Sequence, residues 1–173
     1  MKNRTLFTVL SAIILLTVVV ATTQADNRQV LRARLTGFQE VPSISTTGSG
    51  ELEIRINRHD TAADYRLSYS GVESNAFMAH IHLGQRGVNG GIIVFLCGGG
   101  GKPDCPPTGG TVTGTVEAAD VIGPGGQGIS AGEFAEFLRA LRSGNTYANV
   151  HTVTFPGGEI RGQIQTDAEN NPD

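Results

Sequence analysis

The segment Glu159-Ile160-Arg161-Gly162-Gln163-Ile164-Gln165 alternates polar and apolar side chains with a period of two, which suits a half-buried β-strand and not a helix. Seven other short runs read as strands: Val30–Leu35, Gly50–Ile56, Tyr65–Ser70, Ala76–His82, Gly91–Leu96, Thr111–Glu117 and Tyr147–Thr152. Gly, Pro, Asn, Asp and Ser fill the gaps between them, and glycine alone accounts for 24 of 173 residues. A chain patterned this way is expected to be all-β: an antiparallel, Greek-key-like sandwich or barrel of about eight strands.

One segment departs from that period. In SAGEFAEFLRALRSGN (130–145), Phe134, Phe137, Leu138 and Leu141 recur at helical spacing. Ser130 and Glu133 form a candidate capping box, and Gly144 is a natural stop, so one short amphipathic helix is expected to cap the end of the sandwich. The alternative is that its apolar stripe serves a partner.

The first 25 residues have the layout of a secretory signal peptide: a basic start at Lys2 and Arg4, an apolar run from Leu6 to Ala21, and the small-residue exit Thr23-Gln24-Ala25. An uncleaved membrane anchor is the rival reading. With the signal removed, residues 26–168 form a single domain, 169–173 a flexible polar tail, and the product is secreted or periplasmic. Cys97 and Cys105 bracket CGGGGKPDC, and in an oxidising compartment such a pair reads as a disulfide. Closing so small a loop is worth about 2–3 kcal/mol by chain entropy. The net charge of -3 and the lack of a basic run argue against nucleic acid and anionic membrane surfaces as partners of the exported domain.

The candidate chemistry lies in the histidines, of which there are four. His80 and His82 stand two apart in one strand and share a face, opposite Ala79, Ile81 and Leu83. His151 stands in a second strand, again opposite an apolar set, Ala148 and Val150. Three neutral imidazoles on one face suit copper or zinc better than hard cations. Pairing the last two strands so that Val150, Ile160 and Ile164 share the core places Arg161 opposite His151. Arg161 then either makes a surface ion pair with Glu159 or Asp167, or offers a cationic handle to an anion near the metal. His59 reads as an exposed turn residue, with a fourth-ligand role as the alternative. Glu40 reads as a lone acid, and no nucleophile elbow or paired carboxylates appear.

Three segments, LTGFQEVP (35–42), AHIHLGQRGVNGGIIVFL (79–96) and NTYANVHTVTFPGGEIRGQI (145–164), resemble the chordin-type CHRD domain family. That resemblance implies an extracellular, β-rich domain, and its animal members suggest binding of protein partners. More distantly, His80, His82 and His151 are similar in order and spacing to the copper ligands of copper-zinc superoxide dismutases, and Arg161 to the arginine that attracts their anionic substrate. The bridging histidine and the zinc cluster of that family have no counterpart between Leu83 and Gly110, and the arginine lies much nearer the last histidine. The likeness therefore implies a copper-only site, with superoxide or another small anion as substrate. The alternatives are a non-catalytic extracellular interaction module and a copper storage or delivery protein.

Overall fold

A computed structural model describes residues 29–166. The signal-peptide and tail readings fall outside these residues, as does Asp167.

The strands are β1 (Gln29–Thr36), β2 (Ser49–Ile56), β3 (Ala63–Ser70), β4 (Ala76–Leu83), β5 (Ile92–Cys97), β6 (Gly109–Val116), β7 (Thr146–Thr152), β8 (Ile160–Gln163) and the short β9 (Gln165–Thr166). They form one antiparallel sheet in the order β5-β4-β7-β8-β1-β2-β3-β6, with β9 also pairing β1. The non-sequential neighbours β3–β6 and β4–β7 give the Greek-key character, and the sheet curls into a nearly closed barrel or sandwich as β5 approaches β6. The alternating run 159–165 is split: Ile164 leaves the ladder and donates its N–H to the Thr146 carbonyl at 2.9 Å.

The β1–β2–β3 half follows the period-two rule simply. Leu31, Ala33, Leu35, Leu52, Ile54, Ile56, Tyr65 and Leu67 point inward and are almost fully buried. The intervening residues are charged or polar, with Glu53 paired to Arg32 at 2.8 Å and to Arg55 at 2.7 Å. Strand β7 breaks the rule: all seven of its residues are buried. One face carries Ala148 and Val150 into the core, and loops cover the other.

The seam between β5 and β6 is stapled rather than laddered. Cys97, at the end of β5, forms the disulfide with Cys105. Lys102, inside that loop, bonds the Thr115 carbonyl on β6 at 2.6 Å and the Asp120 carboxylate at 2.8 Å. Tyr65 adds a bond across the core from β3 to the Leu96 carbonyl at 2.6 Å. Helix α1 spans Phe134–Arg142, and Phe134, Phe137, Leu138 and Leu141 pack into the main core, so the stripe is spent internally. Half of the expected capping box forms, as Glu133 accepts the Ser130 N–H at 2.6 Å; this closes a turn before the helix, which starts at Phe134.

Candidate metal centre

Strands β4 and β7 pair so that Met78 faces His151, His80 faces Asn149 and His82 faces Tyr147. Side chains directly opposite in an antiparallel pair lie on the same face. His80, His82, His151, Asn149 and Tyr147 therefore share the covered face, and β8 adds Arg161 opposite Asn149 and Gln163 opposite Tyr147. The expected shared face is right, but the register is two residues off: Arg161 stands opposite Asn149, not His151. The turn Val153–Glu159 is longer than a pairing of Arg161 with His151 requires, and it brings the Glu159 N–H to the Val150 carbonyl at 2.8 Å.

The three histidines come together. One ligand nitrogen from each lies within 4.8 Å of the others, and the residues are only 2%, 7% and 8% exposed for His80, His82 and His151. The Nδ1–H of His82 donates to the Gly90 carbonyl at 2.9 Å, and the Nδ1–H of His151 to the Pro156 carbonyl at 2.9 Å. Each bond assigns the tautomer and leaves an Nε2 lone pair, as ring partners of metal-bound imidazoles commonly do. Nδ1 of His80 lies 3.1 Å from Nε2 of His151. Nε2 of His80 and of His82 are buried without a hydrogen-bond partner.

Loops hold this arrangement from above. Gly90 fits because a Cβ there would lie 1.6 Å from the Leu83 carbonyl oxygen, which keeps its own carbonyl against His82. Arg161 is 1% exposed, lays its guanidinium 3.4 Å from the Tyr147 ring centre, and bonds Asn89 Oδ1 at 2.9 Å and the Val88 carbonyl at 2.7 Å. Its donors do not go to Glu159, whose carboxylate accepts from Thr46, Thr152 and the Glu73 N–H. Glu40 reaches the same face from the loop after β1 and is 6% exposed. That loop is tied to residues 85–90 by Arg86 to Gln39 at 3.2 Å and by Asn89 to the Val41 carbonyl at 3.0 Å. His59 is exposed in the β2–β3 turn and takes no part in the cluster.

Sequence reasoning missed Glu40, Asn149 and Tyr147. Asn149 carried a usable signal, since it shares a face with His151 two residues away. Glu40 carried none, because a loop of uncertain course delivers it.

Burial, then the charges of His151 and His82, pushes His80 down to about 3. Burial pushes His82 down to about 4 against the Gly90 carbonyl, and it lowers His151 against the Pro156 carbonyl. All three are thus neutral donors at neutral pH. Glu40 moves the other way, raised by burial to about 7 against the opposing pull of Arg161. In an unfolded chain histidine titrates near about 6.5, so below that value the unfolded state takes up protons that the folded, metal-free state refuses. Each such imidazole removes about 1.4 kcal/mol per pH unit inside the window. Glu40 opposes them singly: folded, it holds a proton that the unfolded chain releases between 4.5 and about 7, so its contribution is present in acid and lost as pH rises through 7. His80 and His82 together already outweigh it, and His151 acts in the same direction. The melting temperature of the metal-free protein is expected to fall steadily from pH 6.5 to pH 4 and to change little above pH 7; stability that holds or rises on acidification would refute the assignment.

Against known proteins, no curated protein and no solved structure matches the chain, and the likeness to copper-zinc superoxide dismutases gains no support. The family model of the CHRD domain matches residues 31–164, which takes in every strand of the site. The match covers more than half of the chain and contains the loops, the β4–β7–β8 ladder and the three histidines, so the chain belongs to the CHRD domain family.

Proposed function

We propose that this CHRD domain is exported, to the periplasm or the cell exterior, and there binds a single copper ion through His80, His82 and His151, with superoxide as the substrate of the loaded site. The observation that carries the reading is the convergence of three buried imidazoles, two with their ring N–H groups already bonded to carbonyls. The donor set fits copper, and also zinc, because neutral imidazoles suit borderline metals while calcium and magnesium take oxygen. From a widest separation of up to 4.8 Å, the nitrogens would close by about 0.7 Å as a trans pair, or about 1.4 Å in a tetrahedron, to share an ion with bonds of about 2.0–2.1 Å. When bound, copper supplies one-electron chemistry: superoxide is oxidised to dioxygen in one half-reaction, and reduced with two protons to hydrogen peroxide in the other. The protein's part is to keep the imidazoles neutral and oriented and to exclude bulk water. Arg161 adds a fixed positive charge on the same face, whose field favours a small anion.

A second reading draws on the depth of the site. Imidazole nitrogens sealed from solvent suit retention of an ion, so a copper storage or delivery protein needs the same ligands without turnover, while a non-catalytic extracellular interaction module uses the histidines only as hydrogen-bonded structure. Phe38 and Val88, 73% and 45% exposed on the loops above the site, favour the module, since exposed apolar side chains suit an extracellular protein partner. The distinguishing experiment compares the purified mature domain with its His82→Ala variant for copper content and superoxide decay. The expected result is close to one ion per chain and accelerated decay in the wild type, with both lost in the variant. Equally little copper in the two proteins would rule out the site. Tight copper binding with decay at the buffer rate would leave storage, delivery or structure.

A further inference from the structure

The hydrogen bonding around Asn149 does not balance without a cation. Nε2 of His151 carries a lone pair, because Nδ1 holds the proton that it donates to the Pro156 carbonyl. Yet that Nε2 faces the amide oxygen of Asn149 at 3.1 Å as well as Nδ1 of His80 at 3.1 Å. A proton on His80 Nδ1 would settle the second contact and leave the first as two acceptors face to face, which is unfavourable in a buried site.

Turning the amide over would place its nitrogen against His151, but Glu40 opposes that rotation. A Cβ added to Gly158 would lie 2.9 Å from Asn149 Nδ2 and 2.4 Å from Glu40 Oε1, so the amide nitrogen and the carboxyl border the same small space. Oε1 of Glu40 is buried and has no hydrogen-bond partner. With the nitrogen on the side of this unpartnered acceptor, the amide oxygen faces the imidazoles; the flipped amide would set its oxygen against the carboxyl instead. The spacing is also informative: donors around one ion with bonds of about 2.0–2.1 Å stand about 2.9 Å apart in a square plane and about 3.4 Å apart in a tetrahedron. The two 3.1 Å contacts fall inside that interval.

We propose that the Asn149 amide oxygen is the fourth ligand of this centre, with Glu40 as the positioning residue that presents it. The inference rests on the reading that His80, His82 and His151 bind a metal. An oxygen donor is harder than imidazole, so it stabilises the divalent ion over the monovalent one. Asn149→Ala should weaken Cu(II) binding by roughly tenfold or more, the usual scale for losing a site partner, and leave Cu(I) affinity within about twofold. Asn149→Asp combined with Glu40→Gln exchanges amide and carboxylate while keeping an oxygen donor, and should recover Cu(II) affinity. The Cu(II) electron paramagnetic resonance spectrum should change in Asn149→Ala.

Equal loss for both oxidation states, or no loss for either, with an unchanged spectrum, would overturn the role of Asn149 while leaving the three-histidine site in place. A wild-type protein that binds neither ion would overturn the site itself. Should Asn149→Ala fail to fold, a crystal structure of the Cu(II)-loaded wild type decides: an Oδ1–copper distance under about 2.4 Å supports the proposal, and one beyond about 3 Å overturns it.

Discussion

Replacing Arg161 with methionine is expected to destabilise the domain by about 3–5 kcal/mol, the scale of removing one member of a buried charged network. Methionine keeps much of the volume, so the loss is electrostatic and hydrogen-bonding rather than a cavity. Arg161 is 1% exposed, and its guanidinium satisfies Asn89 Oδ1, the Val88 carbonyl at 2.7 Å and the Gln85 carbonyl at 3.3 Å. Without it those acceptors lose their donor, the Tyr147 ring loses the cation above its face, and Glu40 loses its opposing charge. Arg161→Lys should recover only part of the loss, because an ammonium cannot lie flat on the ring and fork to three acceptors. Urea denaturation measures the cost, and hydrogen exchange at residues 85–90 locates it. Combining Arg161→Met with Glu40→Gln should cost less than the sum of the two changes, since the amide removes the unpaired carboxylate. A single-variant cost under about 1 kcal/mol would show that the loop is held by other means.

Metal loading is expected to raise the melting temperature by about 10–15 °C when free Cu(II) or Zn(II) exceeds its dissociation constant about a thousandfold. Binding to the folded state alone then adds about 4 kcal/mol, and a domain of this size gains a few degrees per kcal/mol. Calcium and magnesium should leave the transition where it is, because a site rich in imidazole offers them too little oxygen. The chain contains no tryptophan, so far-ultraviolet circular dichroism is the appropriate probe. His82→Ala and His151→Ala should melt at the same temperature with and without added metal. A wild-type shift equal to that of His82→Ala would place the binding elsewhere on the surface.

The strands were legible because alternation is a local property that records which side chains share a face. It placed His80, His82 and His151 on one face, and proximity of two cysteines in the chain foretold the disulfide. What alternation does not record is what covers a face. Arg161, Gln163 and Glu159 look like solvent-facing residues of a two-sided strand, yet all are buried, because segments far away in the chain fold over them. Glu40 reads as a lone acid for the same reason: its place depends on a loop held by side-chain bonds from Arg86 and Asn89, a tertiary outcome with no periodicity. The register error at Arg161 has a smaller cause. Parity fixes the face but leaves shifts of two residues undecided, and only the turn's own hydrogen bonds choose between them.

Strand β4 lies beside β7, yet His80 and His151 are 71 residues apart in the chain. As the chain emerges, the His80–His82 pair precedes its remaining donors by the length of two strands, a disulfide loop and a helix. Until β7 arrives, two imidazoles on a loose segment form at most a weak, two-coordinate clamp. The closing step joins distant segments, and its loop-closure entropy makes it slow compared with the local β1–β2–β3 meander. On the proposed metal-binding reading, capture is a late event in the life of each molecule, and the ions present where folding finishes, rather than where synthesis begins, would determine which one it carries.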